Sequence, residues 1–214
     1  MRRASANWLK PPGPAAPGLR IGLLGGSFNP PHEGHIHISE LALKRLGLDY
    51  VWWLVSPQNP LKSARDTAPL DKRLSLAARL VHGRRLIVSD VERSLGTRFT
   101  VETLSALKRR FPELNFVWLM GSDNLAEFHR WKDWPRIVDL MPIAVVMRPG
   151  SMLAPLKAKM VQRFWRARRK SMRGFARAAA PAFVIVGGRR NAQSSTLLRT
   201  MRASLGRGDS SMLE

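Results

Sequence analysis

The sequence has no cysteine, which excludes disulfide bonds and cysteine-ligated metal sites and is typical of a reducing compartment. It also has no apolar run that approaches the roughly 18 residues of a membrane span. Arg2 and Arg3 lack the long apolar segment that would follow them in a secretory signal. We therefore expect a cytoplasmic protein with no membrane partner.

Acidic side chains are few. There are 15 Asp and Glu against 36 Lys and Arg, for a formal net charge of +21. A field of this sign attracts polyanions, either nucleic acid or small phosphorylated metabolites, and charge alone does not separate the two. The length of 214 residues suits one domain, and 44% hydrophobic residues excludes a wholly disordered chain.

Apolar runs alternate with helical patterns along the chain. Residues 1–18, rich in Pro, Ala and Gly, are interpreted as a flexible leader, 19–206 as the domain and 207–214 as a flexible tail. Strands are predicted at Arg20–Gly26, Tyr50–Ser56, Arg85–Ser89, Asn115–Met120, Pro142–Met147 and Ala182–Val186. Helices are predicted at Gly34–Leu46, Leu70–Val81, Thr100–Phe111, Ser122–Trp131, a long basic stretch to about Ala180, and Ser195–Ala203. This alternation predicts a single-domain α/β fold with a doubly wound, mostly parallel sheet, whose ligands lie beyond the strand ends at the switch in strand order. We therefore expect the chemistry in the loops after the first and fourth strands.

The first of these loops reads GGSFNPPHEGH from Gly25 to His35. Gly25 and Gly26 permit a tight turn and close approach of the backbone to a ligand. The start of the following helix is a ready anion site. His32 and His35 are three residues apart, so both can face one phosphate group as imidazolium donors. The alternative is an ordinary turn with two solvent-facing histidines.

A second candidate anion site is the segment SSTLLR near the end of the sequence. Ser194, Ser195 and Thr196 are good N-cap residues that bring hydroxyl and N–H groups beside an anion. Arg199 follows about one turn later and can reach the same phosphates with a forked, permanent charge. Alone, the segment favours the alternative of an ordinary capped surface helix with an exposed arginine.

Taken together, the two segments resemble the [T/S]FDPxHxGH and SSTxxR signatures of the HxGH nucleotidyltransferases. Asn29 stands where aspartate is more usual in the first signature. The resemblance implies a Rossmann-like nucleotidyltransferase fold in which the histidines bind a triphosphate. It also implies that no covalent enzyme intermediate forms.

Four further segments resemble those of bacterial nicotinate-nucleotide adenylyltransferases: SPQNPLK, RFTVETL, MGSDNLAEFHRWKDWPRI and VMRPG. By this resemblance Lys62 lies near the ATP phosphates and the region of Thr100 holds the nicotinate carboxylate. Asp123 touches ribose, and Trp131 stacks on a pyridine ring. Pantetheine-phosphate adenylyltransferases share the two end signatures but lack the first and third of these segments.

The reaction implied by the resemblance is adenylyl transfer from ATP to nicotinate mononucleotide in NAD biosynthesis, with deamido-NAD and pyrophosphate as products and Mg²⁺ carried with ATP. The implied catalytic residues are His32, His35, Lys62 and Arg199. The implied ATP-binding residues are Gly25, Gly26, Ser27, Phe28, His32, His35, Gly121, Asp123, Ser194, Ser195, Thr196 and Arg199. Those implied to bind nicotinate mononucleotide are Asn29, Lys62, Thr100, Trp131 and Arg148.

Ordinary structural roles remain open for several of these residues. Trp131 and Trp134 could be core aromatics, and Thr100 or Asp123 could simply cap a helix. Position relative to the strand ends favours function.

Two other functions compete with this interpretation. The basic segment QRFWRARRKSMRGFAR, residues 162–177, could bind RNA phosphates and stack bases. We interpret it instead as a solvated helical face with a few core anchors, and we do not expect nucleic acid as a partner. The other alternative is a cytidylyltransferase, which would use CTP in place of ATP. Oligomeric state cannot be deduced from these patterns.

Overall fold

Six parallel strands form the centre of the molecule, in a computed structural model that describes residues 10–58, 67–147 and 157–187. The strands are β1 (Arg20–Gly26), β2 (Tyr50–Val55), β3 (Leu86–Ser89), β4 (Asn115–Gly121), β5 (Ile143–Val146) and β6 (Phe183–Val186). Their order is β3-β2-β1-β4-β5-β6, and each neighbouring pair is parallel. The predicted doubly wound parallel sheet is thereby confirmed.

Helices cover both faces of this sheet. They are α1 (Glu33–Leu46), α2 (Leu70–Leu80), α3 (Val91–Leu95), α4 (Thr100–Arg110), α5 (Ser122–Glu127), α6 (Trp134–Leu140) and α7 (Lys159–Arg163). Short 3₁₀ turns lie at Phe128–Arg130, Trp165–Ala167 and Phe175–Arg177. Buried residues of α1 and α2 share one apolar cluster, and those of α3 to α7 share the other.

The two clusters lie on opposite faces because successive side chains of a strand alternate in direction. Trp52 and Trp53 are consecutive in β2, and both are fully buried, one in each cluster. Parallel strands buried on both sides need such continuous apolar sequences, which is why the strands were predictable from the sequence.

The switch in strand order lies between β1 and β4. The register pairs Leu24 with Leu119, so Gly26 and Gly121, each two residues further on, end their strands at the same level. After β1 the chain enters α1 on one face, and after β4 it enters α5 on the other. This divergence opens the crevice in which doubly wound sheets bind ligands.

The prediction of one long basic helix ending near Ala180 is wrong for the described residues 157–180. Only α7 and two 3₁₀ turns form there. Arg169 N–H donates to the carbonyl of Phe183 at 2.8 Å, and Arg168 forms a parallel bridge with Phe183. Because the chain pairs with the start of β6, and because Gly174 takes a left-handed φ of 70°, a continuous helix cannot form.

Smaller differences concern helix ends. The predicted helix Ser122–Trp131 divides into α5 and the 3₁₀ turn at Phe128–Arg130. The short helices α3 and α6 were not predicted, since five and seven residues show too little periodicity.

Residues 10–18, which the sequence places in the leader, contact the domain. Ala15 packs against one apolar cluster, and the N–H of Gly18 donates to the carbonyl of Glu113 at 2.9 Å. The first contacting residues therefore precede the expected domain start at residue 19. In the described ranges no helix is long and apolar enough to cross a membrane.

Gly25 is needed for packing. A Cβ there would lie 2.3 Å from Cη2 of the buried Trp118, whereas a Cβ on Gly26 would meet its nearest atom, Phe28 Cε2, at 3.6 Å. We expect Gly25→Ala to lower the free energy of unfolding by about 1–3 kcal/mol, the usual cost of overpacking. Gly26→Ala is the matched control. Urea denaturation of both variants checks this, and equal stabilities would contradict it.

Candidate functional site

The loop after β1 reaches the start of α1 through a hydrogen-bonded pair of histidines. His32 is the N-cap of α1, and its Nδ1 accepts a hydrogen bond from Gly34 N at 3.0 Å. His35, at the third helical position, accepts from His32 N through its own Nδ1 at 3.2 Å. The two rings lie 3.9 Å apart between centroids. This reciprocal pattern is a capping box built from two imidazoles.

The hydrogen bonds determine which ring nitrogen carries the proton. A nitrogen that accepts from a backbone N–H cannot also be protonated, so Nδ1 of each ring is the acceptor and Nε2 carries the hydrogen. In this geometry Nδ1 of each ring accepts from backbone, which leaves Nε2–H as the donor available to a ligand. The imidazolium form of His32 and His35 toward a bound phosphate stays a prediction.

Phe28 packs its ring against the histidine pair through His35. Its ring stacks on Trp53 at 5.0 Å and contacts the His35 ring at 4.6 Å. Its φ of 45° lies in the left-handed region, where a non-glycine residue is strained. Strain of this kind persists only where surrounding contacts enforce it, and it concentrates at functional sites. Ser39 extends the support, since its hydroxyl donates to the carbonyl of His35 and accepts from Trp53 Nε1, both at 2.8 Å.

Arg73 of α2 contacts the loop after β1 and is 1% exposed. Its guanidinium donates to four backbone carbonyls at 2.7–2.8 Å: those of Ser27, Ser56, Pro57 and Ala68. Burial lowers the pKa of Arg73 from its ordinary value. Asn29 adds a contact between the same segments, because its Oδ1 accepts from Ala68 N at 3.3 Å.

Glu92 of α3 is a buried carboxyl group at the end of β2. Its side chain is hydrogen-bonded to Ser56. Burial raises the pKa of Glu92 to about 7, and the hydrogen bond with Ser56 partly opposes that rise. The carbonyl of Glu92 accepts from Thr97 N at 3.1 Å, which connects it to the segment before α4.

The residues predicted on the other side of the crevice occupy the ends of β4 and α4. Gly121 is the buried last residue of β4, and Asp123 is exposed in the first turn of α5. Thr100 is the first residue of α4, whose N-cap is Phe99, so Thr100 itself is not the cap. Trp131 is half-buried, with its ring edge-on to Trp118 and Phe128.

The structure therefore brings together the predicted residues around β1 and the start of α1, with Gly121 at the neighbouring strand end. The remaining predicted residues lie outside the described ranges: Lys62, Arg148, Ser194, Ser195, Thr196 and Arg199. Among the described residues no group of three or more His, Asp or Glu could hold a metal ion.

Sequence reasoning missed Arg73 and Glu92. Arg73 lies three residues after Leu70 and four before Ala77, on the face of α2 that carries its apolar residues. A cation at such a position signals a buried, hydrogen-bonded role. Glu92 stood in a segment with no predicted helix, so no comparable signal was available.

The raised pKa of Glu92 predicts a pH dependence of stability. The folded protein holds this proton up to about pH 7, whereas the unfolded chain, with the ordinary pKa of 4.5, releases it earlier. The contribution of Glu92 to the unfolding free energy therefore falls as pH rises from about 4.5 to about 7. We expect Glu92→Gln to remove up to about 3 kcal/mol of that fall.

Urea denaturation across this pH range, compared between wild type and Glu92→Gln, measures the difference. Glu40→Gln, on the exposed face of α1, is the matched control. Parallel pH profiles for wild type and Glu92→Gln would show that the carboxyl ionises as an ordinary one.

Comparison with known proteins places this geometry in a family. The Cytidylyltransferase-like family model matches residues 23–201. A protein of Parvibaculum lavamentivorans named "Probable nicotinate-nucleotide adenylyltransferase" is 48% identical over 188 residues, which cover 86% of this chain and 92% of that protein. Proteins of the same name from Caulobacter sp. and Agrobacterium fabrum are 49% and 47% identical, and the matches cover 85% and 84% of this chain and 97% of each relative.

Two solved structures share the fold at low sequence identity. Both are of Plasmodium falciparum nicotinic acid mononucleotide adenylyltransferase. The one complexed with NaAD has a TM-score of 0.64 at 15% identity and covers 85% of this chain and 83% of its own. The one complexed with APC has a TM-score of 0.61 at 14% identity, with coverages of 84% and 82%. With two family signatures, the predicted sheet and relatives near 48% identity, the chain belongs to the nicotinate-nucleotide adenylyltransferase family of nucleotidyltransferases.

Proposed function

We propose that this chain transfers the adenylyl group of ATP, carried with Mg²⁺, to nicotinate mononucleotide, giving deamido-NAD and pyrophosphate. The observation that carries the proposal is the paired His32 and His35 at the start of α1, placed at the switch point between β1 and β4. The name shared by the relatives supports the choice of both substrates.

The histidine pair suits a triphosphate for two reasons. The start of α1 concentrates N–H groups and the positive end of the helix dipole. Two Nε2–H donors, fixed by their backbone bonds at Nδ1, then add hydrogen bonds without any reorganisation during the reaction. A phosphate oxygen of the mononucleotide attacks the α-phosphorus of ATP, the bond to the bridging oxygen breaks, and pyrophosphate leaves. No general base is needed, because the attacking oxygen is already anionic near neutral pH.

The second substrate is expected across the crevice. The start of α4 at Thr100 offers the positive end of an 11-residue helix to the nicotinate carboxylate. Trp131 is half-buried, so part of its ring surface lies outside the aromatic cluster with Trp118 and Phe128. Stacking by Trp131, and contacts by Asn29, Lys62 and Arg148, stay predictions. So do the roles of Gly121 and Asp123 and of the Ser194–Arg199 segment toward ATP.

Substitutions of His35 can separate its capping role from its proposed catalytic role. In His35→Asn the side-chain oxygen can still accept from His32 N, but the Nε2–H donor is lost. We expect both His35→Ala and His35→Asn to lower kcat by about 10²-fold or more, as for loss of a preorganised donor, with His35→Asn keeping near-wild-type stability. Steady-state pyrophosphate release and thermal melting measure the two effects. Wild-type turnover in a folded His35→Asn protein would exclude the catalytic role.

Substrate choice tests the proposal as a whole. We expect kcat/KM to be higher for nicotinate mononucleotide than for nicotinamide mononucleotide at fixed ATP. Backbone N–H donors at the start of α4 pair with a carboxylate, whereas an amide presents its own donors to them and leaves one unpaired, at a cost of about 1–3 kcal/mol.

The assay includes CTP beside ATP, because the family model carries a cytidylyltransferase description. Use of CTP in preference to ATP would overturn the assignment of the nucleotide. Equal use of the two mononucleotides, or preference for the amide, would show that the carboxylate site is misplaced while leaving the ATP site standing.

A further inference from the structure

We propose that Arg73 is a positioning residue for adenylyl transfer, holding residues 27–32 after β1, which we name the triphosphate loop, against the loop after β2. The inference rests on the proposed function only in its kinetic readout. Arg73 belongs to neither family signature and is not one of the residues predicted from the sequence.

The contacts of Arg73 reach three separate segments. Nη1 donates to the carbonyl of Ser27 in the triphosphate loop and to that of Ser56 after β2, both at 2.7 Å. Nη2 donates to Pro57 at 2.8 Å, and Nε to Ala68 at 2.7 Å. Along the chain these acceptors are separated by up to 41 residues (68 − 27), so one side chain fixes the mutual position of distant turns.

The acceptors of Arg73 are unusual for a buried cation. Its four hydrogen bonds go to backbone carbonyls, and none of the ion pairs among described residues involves Arg73. A buried charge is costly unless its hydrogen bonds are satisfied, and here carbonyl dipoles satisfy them. These carbonyl acceptors tie the charge to the backbone of the loops that flank the histidine pair.

Ser56 extends the same network toward the second substrate. Its carbonyl accepts from Arg73, and its side chain is hydrogen-bonded to Glu92. The backbone carbonyl of Glu92, at the end of α3, accepts from Thr97 N, and the hydroxyls of Thr97 and Thr103 lie 2.8 Å apart. The segment leading into α4 is therefore connected through Ser56 to the triphosphate loop. An in-line reaction needs both substrates correctly placed, and a misplacement of about 1 Å can cost about 10²-fold in rate.

Lysine cannot make the same four hydrogen bonds, because its three donors radiate from one nitrogen whereas the guanidinium of arginine offers a planar fork. We expect Arg73→Lys to lower kcat by about 10²-fold, with smaller changes in KM. In Arg73→Ala, free guanidinium at sub-denaturing concentration should restore part of kcat, whereas urea at the same concentration should not. Arg79→Lys, on the exposed side of the same helix, is the matched control.

If Arg73 only stabilised the fold, Arg73→Lys would lower kcat no more than a destabilising substitution elsewhere in the protein. Val161→Ala removes buried volume in α7, away from this network, and provides a variant with lowered melting temperature and an intact loop. If Arg73→Lys loses no more kcat than Val161→Ala, or if guanidinium rescues no activity in a folded Arg73→Ala protein, the positioning role is excluded. If Arg73→Ala does not fold, the kcat of Arg73→Lys relative to that of Val161→Ala tests the positioning role by itself.

Hydrogen exchange gives a readout that does not depend on the reaction. Peptides covering residues 26–31 and 54–58 should both exchange faster in Arg73→Lys than in wild type, while α4 is unchanged. Unchanged exchange in both loops would overturn the proposal. Wild-type protein that makes no deamido-NAD would overturn the proposed function instead, and the exchange result would still stand.

Discussion

The parallel pairing of β1 with β4 is the constraint on which the rest of the site depends. It places Gly26 and Gly121 at one level of the sheet edge, and it sends α1 and α5 to opposite faces. The backbone topology alone therefore forms the crevice, whichever side chains line it. The histidine pair occupies one side of it because six residues separate the end of β1 at Gly26 from the start of α1 at Glu33, with His32 as the cap.

Buried polar groups then determine the shape of the loops around this crevice. The guanidinium of Arg73, the hydroxyl groups of Ser39 and Ser56 and the imidazole Nδ1 atoms each bond backbone or neighbouring side chains. Such networks rigidify a site only when their members are satisfied. Most lysine and arginine side chains of residues 10–58, 67–147 and 157–187 are exposed, whereas the buried guanidinium of Arg73 bonds backbone carbonyls.

Sequence patterns predicted the sheet and the location of the chemistry, because continuous apolar strands and the HxGH turn are local signals. They failed where the outcome depends on partners distant in the chain. Residues 164–177 did not form the expected helix, since backbone pairing with Phe183 competes with helical hydrogen bonds. Nor could spacing alone reveal that Gly25 accommodates Trp118, or that Nδ1 of both histidines faces the backbone.

Backbone bonds at Nδ1 orient the rings of His32 and His35, and we propose Nε2–H of each as a donor toward a triphosphate. Nitrogen-15 NMR of histidine-labelled protein tests this directly, with His32→Asn and His35→Asn variants to assign the signals. We expect protonated Nε2 and unprotonated Nδ1 in both rings, with Nε2 shifts that move on addition of ATP and Mg²⁺. Protonation at Nδ1 in either ring, or signals that ATP leaves unchanged, would exclude these rings as Nε2–H donors to ATP.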